Sequence, residues 1–144
     1  MGYYVEIEKS TAVVPAANLE RVYEKMCALN ITHDHKKRGG CFGGGVQKAK
    51  WFSWMDANYP DTCKDARAVL EALGFETHYA ENGDLHIDHY DNKTGQEGLF
   101  LHSIEDDVSG KIEWRGEDGE RWTTMFFGDY VIDGEGTTIA GLLV

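Results

Sequence analysis

Proline and cysteine are scarce in this 144-residue chain, with two and three copies. Cys27, Cys41 and Cys63 are odd in number and lack CxxC spacing, so neither a disulfide framework nor a zinc knuckle is expected and a reducing, cytosolic setting fits best. Cations are also in short supply: 14 Lys and Arg against 25 Asp and Glu leave a formal charge of −11. Binders of long nucleic acid or of anionic membranes need a surplus of Lys and Arg to displace counterions, so neither partner is expected. No apolar run approaches the roughly 20 residues that span a bilayer, and no charged segment leads into an apolar one at the start, which points to a soluble, unexported protein. What is present suffices for one core: 42% of residues are hydrophobic and 12% aromatic, in a length typical of a single domain.

The acid is unevenly placed. Residues 1–72 carry 10 Lys and Arg and 9 Asp and Glu, whereas residues 73–144 carry 4 and 16. The C-terminal half therefore holds all the excess, either as a negative face for a basic partner or as ordinary solubilising turns between strands.

Tyr3, Val5 and Ile7 alternate with Tyr4, Glu6 and Glu8, the period of a half-buried strand. Pro15 suits the first turn of a helix carrying Leu19, Val22, Tyr23, Met26 and Leu29 and ending near Asn30,. Residues 33–47 hold five glycines within seven positions (39–45) and no apolar period, so a mobile loop is expected. Trp51, Trp54, Met55 and Tyr59 are spaced for a short helix closed by Pro60, and Ala66, Val69, Leu70 and Leu73 for a second, capped by Asp61 or Thr62 and stopped by Gly74,. A hairpin from Phe75–Tyr79 to Leu85–Tyr90 through Asn82-Gly83 follows,. Thr94-Gly95-Gln96-Glu97 has the form of a capping box before Phe100, Ile104 and Val108, although Leu99-Phe100-Leu101 also suits a strand,. The end reads as a β-meander: Ile112 and Trp114, the turn Gly116-Glu117-Asp118-Gly119, then Trp122, Thr124 and Phe126, and after Gly128-Asp129 the strand Tyr130-Val131-Ile132. The tail 134–144 is too glycine-rich to place. The order implies one α+β domain over 1–144, a mainly antiparallel sheet with helices packed on one face.

Chemistry is harder to find. His33 and His35 lack the two further ligands a metal centre needs, and His86 and His89, three apart in a strand, point to opposite faces,. No metal site and no cofactor is expected. Cys41 follows Lys36, Lys37 and Arg38, which favour a thiolate,; with His33 and His35 it is the single constellation that suits a nucleotide-cleaving enzyme. The same segment, Lys37, Arg38, Gly39 and Gly40, joins cations to accessible backbone N–H groups as phosphate requires, but matches neither GxxxxGK[ST] nor GxGxxG,. Trp114-Arg115 and Arg121-Trp122 flank one turn and offer stacking surface and guanidinium groups,; Trp51 is a further candidate. Against these stands plain core packing of the tryptophans and neutralisation of nearby acids by the arginines.

Ile112-Glu113-Trp114-Arg115-Gly116-Glu117-Asp118-Gly119-Glu120-Arg121-Trp122, with Phe126 beyond it, the Met1-Gly2-Tyr3-Tyr4 start and Leu73-Gly74-Phe75 resemble small proteins encoded by phages and prophages. Where those carry an apolar-Pro-Tyr-Val stretch, this chain has Ile104-Glu105-Asp106-Asp107-Val108. The resemblance implies a counter-defence factor in the cytoplasm of an infected bacterial host and brings no catalytic residue with it. The expected function is non-catalytic sequestration of an anionic, cyclic-nucleotide immune signal through Lys37, Arg38, Gly39, Gly40, Trp51, Trp114, Arg115, Arg121 and Trp122. The alternative is an acidic decoy that docks a basic host nuclease or DNA-binding protein through Glu105, Asp106, Asp107, Glu117 and Asp118. A homo-oligomer is compatible with either.

Overall fold

The computed structural model describes residues 2–42, 46–128, 131–132 and 137–138, with side chains left undescribed over 39–50 and beyond 128. Its elements are β1 (Tyr4–Ser10), β2 (Val13–Val14), α1 (Leu19–Thr32), β3 (Arg38–Phe42), β4 (Val46–Trp51), α2 (Tyr59–Thr62), α3 (Ala66–Leu73), β5 (Glu76–Tyr79), β6 (Leu85–His89), β7 (Asp91–Lys93), α4 (Glu97–Ser103), β8 (Lys111–Gly116), β9 (Arg121–Met125), β10 (Val131–Ile132) and β11 (Thr137–Thr138). All strand pairings are antiparallel, in a four-stranded sheet β7-β1-β8-β9, a three-stranded sheet β2-β6-β5 and two hairpins, β3-β4 and β10-β11. The fold is α+β, as the sequence implies. No helix among the described residues is long and apolar enough to cross a membrane.

Alternation decides which face of the large sheet is covered. Val5, Ile7, Ile112 and Trp114 are buried against Val22 and Met26 of α1, Val69, Leu70 and Leu73 of α3 and Phe100 and Leu101 of α4, in one cluster. Phe75, Tyr90 and Trp114 pack as mutually tilted rings, with centroids 4.9–6.3 Å apart, and Phe52, Tyr59 and Phe100 form a second such group. The opposite face, with Lys111 and Arg115, faces solvent.

Local chemistry explains most boundaries. Gly74 ends α3 in the left-handed region at φ 113°, and Gly83, at φ 92°, turns the β5-β6 hairpin,. Glu97 accepts from Thr94 Oγ1 and, at 2.6 Å, from Gly95 N at the start of α4. Several expectations are corrected. The glycine-rich segment forms paired strands, Gly39 opposite Lys50 and Phe42 opposite Val46; a backbone ladder needs no side-chain period, so pattern reading misses it. Residues 43–45 lie outside the described set. Trp51 ends β4 rather than starting a helix, and Pro60 sits in the first turn of α2 rather than closing a helix, where its missing N–H costs nothing. The cap of α3 is Asp65, whose Oδ1 accepts from Ala68 N at 2.8 Å, not Asp61 or Thr62. Helix α4 stops at Ser103, and Val108 is buried in the following turns. Strand β10 pairs with β11 and not with β9, while Asp129, Tyr130 and 139–144 fall outside the described residues.

Asp107 ties that post-helical turn to α1. Arg21 Nε donates to its Oδ1 at 2.8 Å, Lys25 Nζ lies 2.5 Å from Oδ2, and Asn18 donates to its carbonyl at 3.1 Å. Burial pushes the Asp107 carboxyl up, but the hydrogen bonds from Lys25 and Arg21 outweigh it and hold the group below the usual carboxylate range.

Two predictions follow from these contacts. Trp114→Ala, which empties a site only 3% exposed, is expected to cost about 3–5 kcal/mol in urea unfolding, with Trp122→Ala, at the partly exposed rim, costing far less. A depressed carboxylate stabilises fully above its unfolded value of about 3.9 and loses that contribution as pH falls through the folded value. Asp107→Asn should therefore lose stability at neutral pH and lack the part of the acid-induced decline that wild type shows below about pH 4, measured as urea midpoint against pH.

Candidate functional site

Of the 14 Lys and Arg in the chain, twelve have described side chains. Seven of these are in ion pairs: Arg21, Lys25, Lys37, Arg67, Lys111, Arg115 and Arg121. Of the five that are not, Lys36, Arg38 and Lys93 line one groove of about 430 Å³, inside the roughly 300–1,000 Å³ range of small-molecule sites. No Asp or Glu is among its described lining residues.

One wall comes from Lys36, Arg38 at the head of β3, and Ser53 and Trp54 in the turn after β4; the other comes from Lys93 at the end of β7 and Thr94, Gly95 and Gln96 before α4. Two cross-links join the walls: Gln96 N donates to Ser53 Oγ at 2.7 Å and Gln96 Nε2 to the Lys36 carbonyl at 3.1 Å. The approach is so close that a Cβ on Gly95 would stand 2.3 Å from Ser53 Oγ. Ser53 is the non-glycine residue at positive φ (43°) among the described residues, a conformation that costs about 1–3 kcal/mol and is held by its surroundings. The next residue, Trp54, is anchored by its indole N–H, which donates to the Leu73 carbonyl at 3.0 Å, yet its side chain leaves the residue 42% exposed.

The candidates named from sequence separate. Arg38 is in the groove. Lys37 is not: its side chain is 7% exposed, paired with Asp34 at 3.1 Å and placed over the Phe52 ring. Gly39 pairs within β3-β4 and Gly40 lies at the register shift beside it, while Trp51 stands opposite Arg38 in that hairpin and is not among the described residues that line the groove. Trp114 is buried and stacks on Trp122 with centroids 6.3 Å apart, while Arg115 and Arg121, its sequence neighbours across the hairpin, both reach Glu8. Successive strand residues point to opposite faces, so these tryptophans and arginines do not form one base-and-phosphate pocket.

The acidic candidates also part. Asp107 is consumed by Arg21 and Lys25, and Glu105 faces His102 at 3.2 Å, with Asp106 exposed beside them. Glu117 accepts from Tyr4 N at 2.5 Å and Asp118 from the Tyr3 hydroxyl, which latches the start of β1 onto the β8-β9 turn. The hydrogen bond to Asp118 pushes the Tyr3 phenol up to about 12 and holds Asp118 below the usual carboxylate range. The two acidic groups sit at opposite ends of the six-residue β8, about 20 Å apart. A smaller cavity of about 220 Å³ is lined by Glu6, Asp91 and Glu117 with Arg115, walls that repel an anion.

Rings of His33 and His35 stack 5.7 Å apart, and no group of three His, Cys, Asp or Glu converges among the described residues. The Cys41 side chain lies outside the described set; burial raises the thiol pKa of Cys27 and Cys63. The groove residues that sequence reasoning misses are Ser53, Trp54, Lys93 and Gln96. Lys93 is the lone Lys or Arg between Arg67 and Lys111, a signal of isolation but not of where it points.

Compared with known proteins, the chain matches no family model, no curated protein and no solved structure.

Proposed function

We propose that this chain is a non-catalytic binding protein that captures a small phosphate-bearing ligand in the groove of Lys36, Arg38 and Lys93. The observation that carries the reading is the gathering, on one concavity, of three cations that form no ion pair among the described residues, with no carboxylate among the described lining, in a chain of charge −11. Like charges placed together repel, and an anion of matching charge removes that repulsion while the charged hydrogen bonds hold it. The walls are already cross-linked through Gln96, so little ordering remains to be done on binding. In the setting of the phage-like sequence features, capture of this kind would withdraw a nucleotide-type signal from a host defence pathway. The acidic-decoy reading has less support, because its residues fall into two distant groups and Asp107 is already neutralised.

The test is a thermal-shift and native mass-spectrometry series with pyrophosphate and a 3′,5′-cyclic dinucleotide at low salt. Both should raise the melting temperature in a concentration-dependent manner, the shift should shrink at higher ionic strength, and the ligand should be recovered intact after denaturation. The double variant Arg38→Glu, Lys93→Glu should lose at least tenfold in affinity while its far-UV circular dichroism stays native. Absence of any shift in wild type, or unchanged binding by the double variant, would overturn the proposal.

A further inference from the structure

Resting on the phosphate reading above, we infer that the ligand of this groove also carries a nucleobase, which stacks on the indole of Trp54 while its phosphates meet Lys36, Arg38 and Lys93. The ligand class is thus a nucleotide rather than an inorganic or sugar phosphate.

Trp54 lines the same groove as the three cations and is 42% exposed, so part of the largest aromatic side chain is open to a ligand bound there. Its one polar group is already spent on the Leu73 carbonyl at 3.0 Å, so what it offers outward is ring surface. That bond also fixes the ring, and the strained Ser53 before it (φ 43°) sets the turn from which it projects. Of the other exposed rings, Trp122 stacks on Trp114, Tyr79 lies under the Arg67 guanidinium, 5.2 Å from its centroid, Tyr4 lines the smaller cavity with Glu6, Asp91 and Glu117, and Phe127 is not among the described residues that line the cationic groove. No described ring stacks on Trp54. An immobilised aromatic face beside a cationic track is the arrangement by which proteins hold bases and phosphates together without reading sequence. Every nucleobase presents a π-face, so the geometry selects for the presence of a base and not for one base over another.

Isothermal titration with pyrophosphate, ribose 5-phosphate, ADP and a 3′,5′-cyclic dinucleotide, on wild type, Trp54→Leu and Trp54→Phe, tests this. The two base-bearing ligands should bind wild type roughly 5- to 150-fold more tightly than the two that lack a base, the effect of one stacked base, and should quench part of the tryptophan fluorescence. Trp54→Leu should lose that advantage and keep pyrophosphate affinity, which also reports that the variant is folded; Trp54→Phe should keep most of it. ADP against the cyclic dinucleotide then shows which phosphate arrangement the cations prefer. Equal binding of all four ligands, with Trp54→Leu changing none, would overturn the base inference and leave the phosphate reading standing. Failure of pyrophosphate and every other ligand to bind wild type would remove the phosphate reading itself.

Discussion

Strand β1 has backbone donors and acceptors on both edges, and it satisfies them with β7 on one side, Tyr4 opposite Lys93, and β8 on the other, Ile7 opposite Trp114. A central strand cannot be left half paired in a core without leaving buried polar groups unmet. At its far end the register shifts between Ile7 and Lys9, after which Ser10 Oγ donates to the Ile87 carbonyl and Ile87 N to that of Ala12. The bulge thereby carries the chain from the four-stranded sheet to the three-stranded one. The same pairing delivers Lys93 and the Thr94-Gly95-Gln96 segment to the groove, so the cationic site depends on how β1 is hydrogen-bonded.

Charge in this molecule is arranged around partners. Glu8 is shared by Arg115 and Arg121, Asp107 by Arg21 and Lys25, and Asp34 takes Lys37. These pairs differ in weight: the half-exposed ones on the sheet surface are screened by water and salt and contribute little, whereas the Asp107 side chain is only 7% exposed and serves two cations at once, so its removal costs both their partner. What the pairing leaves over is informative. Among the described side chains, the cations without a carboxylate partner are few and most of them share one groove, which is what supports the proposal of a local anion site in a strongly acidic chain.

Legibility in the sequence follows the range of the physics. Helix α1, the inward residues of α3, the stop at Gly74, the turn at Gly83 and the Trp114/Trp122 pairing all rest on contacts within a few residues or across one tight turn, and all are readable. The β3-β4 hairpin is not, because glycine has no side chain to display a period of two. The start of α3 is displaced because Asp61, Thr62 and Asp65 are all competent caps; Asp61 and Thr62 are taken up in α2, and Asp65 is the one whose side chain accepts from the first turn of α3. In the candidate site Arg38 is legible as a cation beside glycines, but Lys37 next to it is not distinguishable from it until Asp34 and Phe52 are seen to enclose its side chain.

By itself the sequence determines an α+β chain with an excess of acid in its C-terminal half and a single basic segment, since composition and short-range periodicity express those properties directly. Which cations remain unpaired, which tryptophan stays in contact with solvent, and which residues 55 positions apart (Arg38 and Lys93) face one another are decided only by the tertiary structure. Ion pairing and burial depend on distance in space: the antiparallel pairing of β1 with β7 places Lys93, and the bonds from Gln96 to Ser53 and to the Lys36 carbonyl join its wall to that of Arg38.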